Sequence, residues 1–311
     1  MISQPNLIFR TLLSAMLGAF ALAGCSKEAP DAQLAEKDAP AAGIASVTDG
    51  VDKAADSAAA SAELEEIVEG YFDRTLELNP IFATFIGDHR FDDRFANSIG
   101  PKYLAESLAL EKEYLGKIEA LDKSRLSGQD LLSYEIFLRN RENAIEGFEH
   151  PGHLAPISQF FSVPNFFATL GSGASLQPFK TPENYRNWLG RVDGFSVWID
   201  QSVTNMREGI EKGIVRPRVI MDKTLPQLAA HVVDDVEKSV FYTPITNMPD
   251  DISDEDRSAL TEEYENAIRD KIIPAYRKLH DFVRDEYLAE TSDEVGMKAV
   301  PGGVEWYNYL I

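Results

Sequence analysis

The 311-residue chain carries 51 acidic against 30 basic residues, a formal net charge of −21 at neutral pH. An excess of this size argues against binding nucleic acid or docking on anionic lipid through charge. A hydrophobic content of 44%, with 17 Phe and 11 Tyr, is ample for a packed core, and the single cysteine excludes a disulfide within the chain.

Residues 1–24 read as a secretory signal. Arg10 and the amino terminus supply positive charge, and Leu12 to Leu22 supply the apolar segment. That segment is well short of the roughly 20 residues that span a bilayer. Ala21, Ala23 and Gly24 are small, and Leu22-Ala23-Gly24-Cys25 matches the lipobox of bacterial lipoproteins. The match implies that Cys25 takes the lipid and that the membrane is the partner it anchors to. Ser26 follows where aspartate would resemble an inner-membrane retention signal, so the expected location is the outer membrane, facing the periplasm. Residues 25–61 are rich in Ala, Asp and Ser and have no aromatic residue. Such a stretch buries too little apolar area to offset its ordering entropy, and a disordered tether is expected.

From residue 62 onward the signal is helical. Leu64, Ile67, Val68, Tyr71, Phe72 and Leu76 share one helix face, ended by Asn79-Pro80. A polar loop, Gly87-Asp88-His89-Arg90 with Asp92-Asp93, precedes a helix marked by Leu104, Leu108, Leu115, Ile118 and Leu121. Ser127 and Asp130 resemble a capping box for the next helix, through Leu131, Tyr134, Phe137, Leu138 and Ile145. Residues 148–180, rich in Pro, Gly and Phe, read as an irregular, apolar, packed loop. Thr181-Pro182-Glu183 starts a helix of about 30 residues along Tyr185, Trp188, Leu189, Val192, Phe195, Ile199, Val203, Met206 and Ile210, closed by Gly209 and Gly213. A shorter stretch from Arg216-Pro217 should bend or divide at Pro226. After the acidic run 250–256, a long helix carries Leu260, Tyr264, Ile268, Ile272, Tyr276, Leu279, Val283 and Tyr287, with a kink expected at Pro274. No strand alternation or repeat is present, so the fold class is all-α, built of long amphipathic helices. The chain then stops within the aromatic run Val304 to Ile311, after the turn Pro301-Gly302-Gly303. With no polar end or cap, residues 62–311 read as the truncated amino-terminal part of a larger domain.

No complete active site is legible. Among five histidines, His89, His150, His153, His231 and His280, there is no His-Glu-x-x-His motif. Glu149-His150-Pro151-Gly152-His153 offers two loop histidines, but Pro151 and Gly152 forbid a regular helix there, and no metal site is assigned. His231 and Asp235 have i to i+4 spacing and are expected on one helix face, in a structural hydrogen bond. Gly171-Ser172-Gly173 lacks the full nucleophile elbow and its flanking strand. No catalytic residue is assigned, and Cys25 is consumed by lipid.

Several segments together carry a resemblance. They are the Gly87–Asp93 loop; Gln177-Pro178-Phe179; Thr181-Pro182-Glu183-Asn184-Tyr185 with Trp188-Leu189-Gly190-Arg191; Met206-Arg207-Glu208-Gly209-Ile210; Glu286-Tyr287-Leu288; and Val300-Pro301-Gly302-Gly303 with Trp306-Tyr307. In this order they resemble the amino-terminal part of the domain-of-unknown-function 885 family, bacterial and often lipoproteins. The resemblance implies one half of a helical fold similar to carboxypeptidase Taq and oligopeptidase-type metallopeptidases. It further implies zinc for the full-length protein, in a missing carboxyl-terminal half, with peptides as partners. In this chain, His89, Arg90, Trp306 and Tyr307 are the expected substrate-channel or loop contacts. The competing reading is a non-catalytic periplasmic lipoprotein that binds peptides or proteins.

Overall fold

The computed structural model describes residues 44–160 and 162–311, with side chains from Lys53 onward. The signal segment and Cys25 lie outside the described residues. Contacts divide the chain into Met1–Thr48 and Asp49–Ile311. Among the described residues the fold is all-α, without a strand.

The helices are α1 (Ile44–Leu78), α2 (Pro80–Phe85), α3 (Pro101–Ala120), α4 (Gly128–Gly147), α5 (Val163–Gly171), α6 (Pro182–Lys212), α7 (Arg218–Ala229), α8 (Thr243–Thr246), α9 (Asp254–Ala267), α10 (Ile273–Asp285) and α11 (Gly303–Leu310). Short 3-10 turns connect several of them, including His89–Phe91 and Gly152–Leu154.

Helix α1 begins at Ile44, inside the segment expected to be a disordered tether. The same alanines that deny the stretch a core make it a strong helix former. Its end is also held: Ala60 is fully buried, Arg125 Nε donates to Asp56 Oδ1 at 2.8 Å, and Ser61 Oγ donates to Asp130 Oδ2 at 2.6 Å. Asp130 therefore ties α4 to α1. It does not complete the expected capping box, and Ser127 makes no side-chain cap bond.

Two cores result. The smaller joins α1, α3 and α4 through Leu64, Ile67, Leu110, Tyr114, Ile118 and Phe137. The larger surrounds α6, whose Tyr185, Trp188, Val192, Phe195 and Met206 are completely buried against α5, α7, α9 and α10. Helix α6 starts in a full capping box between Thr181 and Asn184. It stops at Gly213, whose φ of 69° is the left-handed conformation of a helix C-cap. The loop expected to be irregular over 148–180 contains α5, because Phe167 and Leu170 fall on one face and pack fully into the larger core.

Two further expectations change. The predicted kink at Pro274 is replaced by a π-helical turn, Ile268–Ile272, between α9 and α10. Widening the turn before a proline relieves the clash of its ring with the preceding carbonyl and accommodates the missing N–H. His231 and Asp235 share no helix: α7 ends at Ala229 with Pro226 in its last turn, and Asp235 caps the 3-10 turn Val236–Lys238. The carboxyl-terminal aromatic run is itself a helix, α11.

Candidate functional site

Helix α6 positions the main polar constellation. Gly190 and Gly194 lie one turn apart, and a Cβ at either would come within 2.7 Å of the Asp93 carbonyl oxygen or 2.6 Å of the Phe95 carbonyl oxygen. Their lack of a side chain lets the backbone of the Asp93–Phe95 loop rest directly on the helix. Between them, Arg191 is fully buried, and its Nη2 donates to Thr84 Oγ1, to the Phe91 carbonyl at 3.3 Å and to Asp92 Oδ1 at 3.3 Å. Thr84 Oγ1 in turn donates to Asp92 Oδ1 at 2.5 Å. Burial lowers the Arg191 pKa to about 10.

Asp92 uses its other oxygen, Oδ2, to meet His89 Nδ1 at 2.8 Å. With the carboxylate oriented by Arg191 and Thr84, the imidazole is anchored through Nδ1, and its ring is half-exposed. Asp88 caps this turn, and Arg90 bridges Asp88 at 2.7 Å and Asp73 at 2.6 Å, which holds the Asp88 carboxyl below its ordinary value. Arg90 is thus a surface clamp behind His89.

His89 stands in the wall of a hollow of about 460 Å3, closed by the loop Ser172–Lys180, by Tyr185 of α6, and by Pro244 and Asn247 at α8. The Tyr185 hydroxyl donates to the Pro244 carbonyl at 3.0 Å and pins α8 to α6. Ser172 Oγ donates to the Thr169 carbonyl at 2.8 Å. Ser175 Oγ and both amide atoms of Gln177 are buried without a partner among the described residues. Sequence reasoning gave Gln177 no role. The available signal was a glutamine set between an apolar loop and Pro178, where burial of a polar group is unusual.

Trp306 lies elsewhere, so the structure does not bring the expected contacts into one hollow. Helix α11 rests on the 150–153 loop: the His150 ring is nearly parallel to Trp306 at 6.0 Å and lies 4.8 Å from the Tyr309 ring. The Tyr309 hydroxyl donates to the Asn143 carbonyl at 3.0 Å. Tyr307 is exposed. A second hollow, about 400 Å3, lies between Leu104, Leu108, Ala144 and Phe148, with His150 and His153 at its edge. Burial lowers the His153 pKa. Among the described residues no three His, Cys, Asp or Glu side chains converge as metal ligands. With His150 packed against aromatic rings, the residues present do not fit the zinc centre that the resemblance implies.

The family model described as "Bacterial protein of unknown function (DUF885)" matches residues 80–311. The chain belongs to this family. No curated protein matches it. Among solved structures, a chain described as the "putative lipoprotein from Colwellia psychrerythraea" is similar in fold, with a TM-score of 0.64 at 13% identity. The similarity covers 80% of this chain and 45% of that one, so the present chain spans less than half of the solved relative. Among the described residues no helix is long and apolar enough to cross a membrane.

Proposed function

We propose that this chain is the lipid-anchored, amino-terminal part of a peptidase-like protein of the bacterial envelope. Its helices form one wall of a peptide channel, and the hydrolytic centre lies outside the residues present. The observation that carries the reading is the extent of the fold: the similarity takes in most of this chain and less than half of the solved chain described as a "putative lipoprotein". The lipobox at Leu22–Cys25 supports the anchor, and Ser26 directly after it supports an outer-membrane, periplasm-facing location.

The test has two arms. In cells fed labelled palmitate, the chain should take up label and Cys25→Ala should not; equal labelling of both would refute the anchor. The purified 311-residue chain should neither bind zinc stoichiometrically nor cleave peptides. Adding the downstream reading frame should confer both properties. Tight zinc binding by this chain, lost on replacing His150 and His153, would refute the division of labour.

A further inference from the structure

The hollow beside His89 contains a polar group whose partners the protein does not supply. Gln177 is 3% exposed, yet neither its Nε2 nor its Oε1 has a hydrogen-bond partner among the described residues. Leaving a buried carboxamide unpaired costs the full desolvation of its donor and its acceptor, so such a group calls for an explanation. Gln177 lines the hollow, whose volume of about 460 Å3 lies in the range of small-ligand sites. Ser175 Oγ, also without a partner, lines the same space.

The complement of a carboxamide is another amide. One planar group that accepts from Nε2 and donates to Oε1 satisfies both atoms at once; because both atoms are shielded from solvent, the side chain turns toward the hollow to meet it. Lys180 lines the same hollow, three residues further on, and among the described residues no carboxylate pairs with it. Phe179, Pro178 and Tyr185 contribute apolar wall. We propose that this hollow binds an N-acylated amino acid, the amide pairing with Gln177 and the carboxylate with Lys180. The carboxyl-terminal residue of a short peptide presents the same chemistry. The inference rests on the unpaired amide and is independent of whether the full-length protein hydrolyses anything.

The test is ligand-observed saturation-transfer NMR on the purified chain with a pool of N-acetyl amino acids, followed by calorimetric titration of the strongest member. A parallel pool of unblocked tripeptides separates the two sources: tighter binding of tripeptides identifies a peptide end, and weaker binding a free acyl amino acid. Gln177→Leu should weaken binding at least tenfold and yet raise the melting temperature of the ligand-free protein by a few degrees, because it removes an unsatisfied buried amide. A merely structural glutamine would give the opposite change in melting temperature. Lys180→Gln, at an exposed position that leaves the fold intact, should weaken binding. Replacing the ligand carboxylate by a carboxamide should weaken it by a similar factor. No saturation transfer from either pool, Gln177→Leu titrating like the parent chain, or a fall in its melting temperature would overturn the proposal.

Discussion

Replacing Asp92 by asparagine isolates the energetic role of the buried network under His89. The Asp92 and Arg191 side chains are 1% and 0% exposed, and no other carboxylate pairs with Arg191 among the described residues. Asp92→Asn keeps the size of the side chain and removes its charge. The guanidinium then remains in the core with only neutral acceptors, the Thr84 hydroxyl, the Phe91 carbonyl and the new amide oxygen, while its Nε and Nη1 already lack partners. Breaking a buried pair on one side costs about 3–5 kcal/mol, because the surviving charge has lost its compensation. In a domain of this size each kcal/mol moves the melting temperature by roughly 2–4 °C, so a drop on the order of 10 °C is expected. Urea unfolding, followed by near-ultraviolet circular dichroism of the buried Trp188 and Trp198, measures the loss directly. The companion Asp92→Leu with Arg191→Met, which removes both charges, should recover most of the stability. A single Asp92→Asn variant within about 1 kcal/mol of the parent chain would refute the assignment, as would a double variant no better than the single one.

Other expectations follow from the same packing. Gly194→Ala should lower the urea midpoint strongly, since its Cβ would meet a carbonyl oxygen at 2.6 Å, whereas Gly116→Ala, with nothing within 4 Å, should raise stability by about 0.5–1 kcal/mol; equal effects at the two sites would contradict the close approach. Thr181→Ala removes one half of the α6 capping box and should cost about 1 kcal/mol by the same assay, and an unchanged midpoint would mean that Pro182 alone sets the helix start. His231 is partly buried, its ring 4.6 Å from that of Tyr276, and burial lowers its pKa below 6.5. The unfolded chain therefore takes up the proton first as pH falls. The stability that this neutral ring contributes is complete above pH 6.5 and is lost as the pH drops through the lowered value. The parent chain should lose more stability than His231→Phe between about pH 7.5 and 5.5, and parallel losses would rule His231 out as the source.

The sequence reveals the helices where burial follows a simple period, and it hides what depends on distant partners. The α6 face from Tyr185 to Met206 was legible because each residue meets the core at α-helical spacing. The π turn is also written in the sequence, although Pro274 taken alone suggests a kink. Leu260, Tyr264, Ile268, Ile272 and Tyr276 are all four apart, and each such step rotates an α-helix about 40° off its face. A wider turn at Ile268–Ile272 restores the register and keeps every one of them buried. The Asp92–Arg191 pair lies beyond any local pattern, as its members are 99 residues apart. Ser61 shows the same limit: it captured Asp130 across 69 residues and so overrode a local capping signature. The hollow at Gln177 was invisible for a further reason, since only the folded loop shows that its amide is buried and unpaired.

Gly190 and Gly194 have a mechanical consequence. Where a loop rests on side chains, rotamer changes can absorb a displacement; here the loop backbone bears on helix backbone, with the buried Arg191 fastened between the two contacts. The segment from His89 to Phe95 and the first half of α6 therefore behave as a single stiff part. A ligand that draws His89 inward pulls on the helix axis as well as on the loop, and the larger core packed around that axis bears the load.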